Sequence, residues 1–141
     1  MKMKHKIIGK YIKELQFNIP NTKAFFLLSK NIANYKINID IKSLQVKQNI
    51  IEVLTSLNLS PVKDDFEKID TKIVYSTVIE LKNEKLKKDD IEKIILIDVP
   101  SEVYPEIRKI FISLFEKSGF KDIKINEAVD FEKLYKMKKI Q

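Results

Sequence analysis

Tyr35-Lys36-Ile37-Asn38-Ile39-Asp40-Ile41 alternates apolar and polar side chains without a slip. A strand sends successive side chains to opposite faces, so the pattern predicts a β-strand with one face on a core and the other in water. The same period of two recurs on either side. Upstream, Ile7, Tyr11, Leu15, Phe17 and Ile19 share one parity and Lys10, Glu14, Gln16 and Asn18 the other, until Pro20 removes a ladder donor. Downstream, Ile51, Val53, Leu57 and Leu59 repeat it, followed by Ile73, Tyr75, Ile79 and Leu81. Strands with one wet face point to an antiparallel sheet.

The period changes after residue 88. Asp89 and Glu92 have the spacing of a capping box before a short helix over Asp90–Asp98, which Pro100 is expected to close. Ser101 is a plausible N-cap for the next helix, with Pro105 inside its first turn, where backbone donors lack intrahelical partners. Val103, Ile107, Ile110, Phe111 and Leu114 then make one apolar stripe, which Ile112 and Phe115 widen beyond what a lone sheet need cover. Gly119 suits the left-handed residue that stops this helix, and Asp130 can cap a last one through Met137. The tract Lys82–Asp90 reads as a solvated turn. Four strands followed by two to three helices on one face give an α+β fold, read here as a single domain over residues 1–141.

Composition narrows the functional classes. With no cysteine, disulfides, thiolate nucleophiles and thiolate metal sites are excluded. His5, the sole histidine, sits in a Lys-rich start without a ligand partner at useful spacing, and the two glycines are too far apart for a phosphate loop. Asp64-Asp65 and Asp89-Asp90 lie in Lys-rich, turn-like stretches that offer no apolar pocket to shift a carboxyl pKa. The expectation is no enzyme, no cofactor and no metal. No apolar run approaches the roughly 18 residues that span a bilayer, so no membrane insertion is expected and the location is read as cytoplasmic. The net charge of +7 raises a nucleic-acid partner, but all the basic residues except Arg108 are lysines, interleaved with 20 acids, whereas phosphate and base readout favours arginine. Abundant Lys, Ile and Asn beside scarce Ala and Gly is the pattern of an AT-rich genome. A basic nucleic-acid-binding module therefore stands as the rival reading from another class.

Two end segments carry a resemblance. Tyr11, Lys13, Glu14, Leu15, Phe17, Pro20 and Asn21 are similar to the first strand of the SecB family of bacterial export chaperones, typically Tyr-x-Lys-Asp-hydrophobic-Ser-Phe-Glu-x-Pro-Asn. Pro100, Pro105, Arg108, the Ser118-Gly119-Phe120 turn and Val129-Asp130-Phe131-Glu132-Lys133-Leu134-Tyr135 resemble that family's C-terminal half. Val99, Tyr104, Ile107, Ser118, Ala128 and Asp130 depart from its usual residues, and between Thr22 and Asp98 only the alternation is shared. The resemblance implies an ATP-independent holdase that keeps unfolded precursor proteins competent for export and hands them to the motor ATPase SecA. It further implies a homotetramer, a dimer of dimers with sheets joined edge to edge and helices between.

The resemblance also locates candidate sites. The crossover segment Ala24–Leu28 would line a client groove with Phe25, Phe26, Leu27 and Leu28, aided by Tyr104, Phe111 and Phe115 from the long helix. The bland alternative is a buried lid on the core, with ordinary core packing for each helix aromatic. SecA docks the family's outer sheet face through acids. Glu14 keeps one, while Asn18 and Thr77 stand where acids are usual, which leaves open a SecB-like chaperone acting without SecA, for example on an antitoxin.

Overall fold

A computed structural model of the chain describes residues 4–30, 35–61, 70–82, 85–120, 125 and 127–140. Its elements are β1 (His5–Asn18), α1 (Thr22–Lys30), β2 (Tyr35–Lys47), β3 (Ile50–Pro61), β4 (Asp70–Leu81), α2 (Lys88–Lys93), a π-helical turn (Ile94–Asp98), α3 (Val99–Lys117) and α4 (Phe131–Ile140). The strands form one antiparallel sheet in the order β1-β4-β3-β2, so β1 and β2 are its edges. The expected α+β arrangement of a four-stranded sheet and helices is present.

Register divides the sheet into two faces. Ile37, Ile39 and Ile41 of β2 stand opposite Leu59, Leu57 and Thr55 of β3, and Leu57 stands opposite Ile73 of β4; these face the helices. The alternation of β2 continues beyond Ile41 through Ser43 and Gln45, opposite Val53 and Ile51, where polar side chains had hidden the strand. Asn49, at φ 65°, closes the β2–β3 hairpin, asparagine being one of the few residues that tolerate the left-handed region.

β1 departs from its expected single parity. Two bulges, between Ile7 and Gly9 and between Ile12 and Glu14, each insert a residue and move the later side chains to the other face. Ile7, Ile12, Leu15 and Phe17 therefore lie on the helix side, opposite Ile79, Tyr75, Ile73 and Thr71, whereas Tyr11 pairs with Ser76 on the outer face.

The core runs along the helix side of the sheet in three clusters. Ile51, Val53 and Ile79 meet Ile94 and Val99 at one end; Leu57, Ile73 and Tyr75 meet Val103, Tyr104, Ile107 and Phe131 in the middle; Ala24 and Leu28 of α1 meet Phe111, Phe115 and Phe120 at the other. Phe115 is thus satisfied within the chain, against Phe17, Phe111 and Phe120 with ring centroids 5.0, 5.2 and 5.4 Å away. It does not widen an outward stripe as its spacing suggested.

Pro100 does not close a helix. α2, the π-turn and α3 run on without a break, and Pro100 lies in the first turn of α3. A proline ring clashes with the carbonyl four residues back, and the wider π-turn just ahead of it relieves that contact. Pro105 then falls inside α3 rather than at its start. Ser101, whose carbonyl loses its partner there, is exposed, so water can take its place. The α2 cap also differs: Asp90, not Glu92, accepts from the backbone N–H before the helix, that of Lys87, at 3.4 Å. Gly119 does stop α3 at φ 98°, and a Cβ there would meet the Phe25 ring at 3.5 Å.

Candidate functional site

The segment Ala24–Leu28 is helical and splits by face. Asn21 caps α1 by accepting from the backbone N–H of Ala24 at 2.8 Å. One helical turn then brings Ala24 and Leu28 together in the core, both at 0% exposure. Phe25 is half-buried against Phe120, centroids 4.8 Å apart, Leu27 is half-buried, and Phe26 is 56% exposed. Among the groove candidates, Leu28, Phe111 and Phe115 are therefore sealed inside the chain, because the sheet face beneath them needs their area to exclude water. Phe26 is the most exposed of the candidates on α1.

A cleft that the sequence had not singled out lies at the other side of the helical layer, between β2 and α4. Asp130 caps α4 as expected, accepting from the Lys133 N–H at 3.0 Å. Phe131 is held edge-on to Tyr104, centroids 6.1 Å apart, and the Tyr135 hydroxyl donates to Glu92 at 3.3 Å. Arg108 Nε donates to the Ile125 carbonyl at 3.1 Å and ties down the chain that enters this helix. Phe131 and Tyr135 face inward, which turns Leu134 and Met137, both about half exposed, toward solvent. Since β2 is an edge strand, no further strand covers the flank of its isoleucine row among the described residues.

Two open cavities result. One of about 170 Å³ is lined by Ile39, Ile41, Leu96, Phe131, Leu134 and Tyr135 with Asp40 at the rim; the other, of about 380 Å³, by Ile37, Asn38, Ile39, Tyr104, Val129 and Leu134. They share Ile39 and Leu134 and so make one apolar furrow along β2. Tyr104, though 2% exposed, contributes to its wall, and burial raises its phenol pKa. The alternation of residues 37–41 and the i, i+3 pair Leu134 and Met137 were both visible in the sequence. Their juxtaposition depends on strand order, which was not.

The outer face is polar and charged. Glu52 accepts from the hydroxyls of Tyr11 and, at 2.7 Å, Ser76, with Lys13 3.7 Å away; these bonds, the Tyr11 bond foremost, hold its carboxyl below the usual range. Glu14 also lies here, accepting from Gln16 at 3.0 Å and 3.8 Å from Lys72. It borders a shallow depression of about 480 Å³ to which Lys13, Lys42 and Lys72 contribute three cations against Glu14 and Asp40. Asn18 falls on this face, but Thr77 does not: opposite Lys10 and Val53, it points into the helix side and is fully buried. Parity excludes it from any outer docking surface.

A sheet with a furrow of isoleucine, leucine and aromatic side chains left open at its edge offers exposed apolar surface of the kind a chaperone needs. Comparison with known proteins agrees. The profile of the SecB family, described as preprotein translocase subunit SecB, matches residues 1–141, and the chain belongs to that family. It is 38% identical over 134 residues to a putative protein-export protein SecB of Pelagibacter ubique, covering 95% of this chain and 96% of that one. It is 26% identical over 147 residues to protein-export protein SecB of Anaplasma phagocytophilum, covering 96% and 92%. Among solved structures, a Mycobacterium tuberculosis SecB-like chaperone in complex with a peptide from the HigA1 antitoxin superposes with a TM-score of 0.67 at 9% identity, covering 89% of this chain and 88% of that one. SecB proteins are chaperones that bind unfolded clients, and no helix among the described residues is long and apolar enough to cross a membrane.

Proposed function

We propose that this protein is an ATP-independent holdase that binds unfolded precursor proteins in the cytoplasm and keeps them competent for export, with the β2–α4 furrow as the principal client site. The observation that carries this reading is the pairing of the Ile37-Ile39-Ile41 row with the half-exposed Leu134 across open clefts, with Met137 exposed one turn further along α4. Burying an aliphatic side chain in such a cleft contributes roughly 1.5–3 kcal/mol, so a few client residues suffice for useful affinity. Phe26, with Phe25 and Leu27 beside it, forms a second apolar contact point on α1. The working assembly is a homotetramer, a dimer of dimers. Its support is the exposed apolar edge of β1, Ile8, Ile12 and Leu15, and the half-buried Ile110, Ile112 and Leu114 of α3.

Transfer to SecA would engage the outer face through Glu14. The three lysines around it favour a second reading, in which the chaperone works without SecA, because a basic docking partner would meet like charge. The nucleic-acid reading has less support, since Lys4, Lys10, Lys13, Lys72, Lys82 and Lys136 each sit within 4 Å of a carboxylate. The test is light scattering of a chemically unfolded client diluted into buffer without nucleotide. Delayed aggregation by stoichiometric protein supports the holdase, and an unchanged time course contradicts it. Co-sedimentation with SecA, compared with Glu14→Lys, separates the two readings of delivery.

A further inference from the structure

We propose that one end of the sheet, where the β2–β3 hairpin, the start of β1 and the approach to α2 meet, is a peripheral docking face for an anionic lipid bilayer. Leu44 and Val46 enter the headgroup layer there, and the lysines around them lie against the lipid phosphates. The face is separate from the client furrow and uses none of the residues that line it.

Backbone pairing gathers this face from segments far apart in the chain. The Leu81 N–H donates to the Asn49 carbonyl at 2.7 Å, and the Lys82 N–H donates to the Lys4 carbonyl at 2.9 Å. The hairpin tip, the end of β4 and the start of β1 therefore lie side by side. Lys4 Nζ stands 3.6 Å from Asp90, which brings the start of α2 to the same place.

The result is an excess of positive charge. Lys4, Lys6 and Lys47 are exposed at this end, and so are Lys82, Lys85, Lys87 and Lys88 on the approach to α2. The carboxylates beside them are Glu80, Asp89 and Asp90, with Glu84 in the same tract of sequence, so lysines outnumber acids. The pairs Lys4–Asp90 and Lys82–Glu80, at 3.6 and 3.3 Å, are solvent-exposed and cancel only their own charge. Attraction to a charged surface follows the net charge of the face within a Debye length of about 8 Å. The tract that reads as a solvated turn in the sequence thus contributes to a basic end, part of the +7 that client binding leaves unexplained.

The side chains among those lysines select lipid as the partner. Leu44 and Val46 are 52% and 54% exposed near the end of β2, and Lys42 and Lys47 flank them in sequence. An aliphatic tip ringed by lysines suits a bilayer surface, because the lysine stems lie along the apolar layer while their ammonium groups stay at the phosphates. Nucleic acid would call for arginine forks and for aromatic rings to stack on bases. Segments 4–8, 44–50 and 80–90 contain no Arg, Phe, Tyr or Trp.

The test is co-sedimentation of the full-length protein with phosphatidylcholine vesicles containing about 30% phosphatidylglycerol, compared with phosphatidylcholine alone. At low salt the anionic vesicles should bind at least about ten-fold more tightly, and raising salt from about 0.05 M to about 0.3 M should weaken that binding about ten-fold. The triple change Lys47→Gln, Lys87→Gln and Lys88→Gln should weaken it at least about ten-fold. Lys23→Gln, Lys36→Gln and Lys117→Gln remove the same charge from exposed positions at the opposite end of the sheet and should weaken it less than about three-fold. Equal loss in the two sets, or equal binding to neutral vesicles, would overturn the docking face. Leu44→Ser with Val46→Ser should weaken anionic binding about five-fold, and no change would overturn their entry into the headgroup layer. Suppression of client aggregation without vesicles should match the parent in every variant, which separates lost docking from lost fold. The set Lys47→Arg, Lys87→Arg and Lys88→Arg should keep vesicle binding; its loss would overturn the charge assignment. A single-stranded oligonucleotide bound more tightly than vesicles at the same salt, and released by the same glutamine changes, would assign the face to nucleic acid and contradict the proposal.

Discussion

Phe26 and Leu28 stand two residues apart on one helix and have opposite surroundings, solvent for one and the core for the other. Leu28→Ala should therefore cost about 2–5 kcal/mol and Phe115→Ala about 3–5, read as a lowered denaturation midpoint. Phe26→Ser should leave stability within about 0.5 kcal/mol, whereas Phe25→Ser should destabilise, because its ring lies over Phe120 and Gly119. A second residue-scale prediction concerns the clip between α3 and the sheet. Glu106 accepts from Lys10 and from the Tyr75 hydroxyl, each at 2.6 Å, and these bonds, that of Lys10 first, hold its carboxyl below the usual value. Its contribution is present above the unfolded carboxyl pKa, about 4.5, and is lost as pH falls through the lower folded value. Glu106→Gln should thus destabilise at pH 7, and its difference from the parent should shrink as pH falls below the unfolded value. Tyr75 behaves in the opposite sense: burial, then the Glu106 bond and charge, push it to about 12, so its contribution is complete below about pH 10 and lost as pH rises toward 12. Tyr75→Phe should flatten that alkaline limb of the stability profile.

At the level of elements, α4 has one buried face and one open face. Phe131 and Tyr135 hold it down while Leu134 and Met137 remain open, so the double change Leu134→Ser and Met137→Ser should reduce client affinity by about ten-fold or more with little change in melting. A variant that melts far below the parent would show those two residues to be structural. The elements were legible in the sequence to differing degrees. The alternation of residues 35–41 announces β2 because that strand is regular, and Gly119 and Asp130 mark helix ends because each supplies a backbone conformation or an acceptor that few residues can. β1 misled at Tyr11 and Ile12, since a bulge leaves no signature in composition and reverses parity until the second bulge restores it. Pro100 misled because a π-turn, which sequence does not announce, allows a proline to sit within a continuous helical run.

For the whole molecule, the family membership was readable from the two end motifs, while the site was readable only in halves. Ile37, Ile39 and Ile41 are nearly a hundred residues from Leu134, and it is the order β1-β4-β3-β2 that leaves β2 bare for α4 to flank. The same order leaves Ile8, Ile12 and Leu15 exposed on the opposite edge, so the proposal gives assembly to β1 and client capture to β2. Ile12→Lys with Leu15→Lys should accordingly lower the mass found by light scattering without unfolding the subunit; an unchanged mass would place the assembly surface elsewhere. The central claim, that clients occupy the β2–α4 furrow, is tested most directly by methyl NMR of the isoleucine- and leucine-labelled protein titrated with an unfolded client. The methyls of Ile37, Ile39, Ile41 and Leu134 should shift or broaden together, while Ile73 and Ile79 in the core and Leu54 on the outer face stay in place. Perturbation centred on Leu54, with the furrow methyls unmoved, would contradict the account.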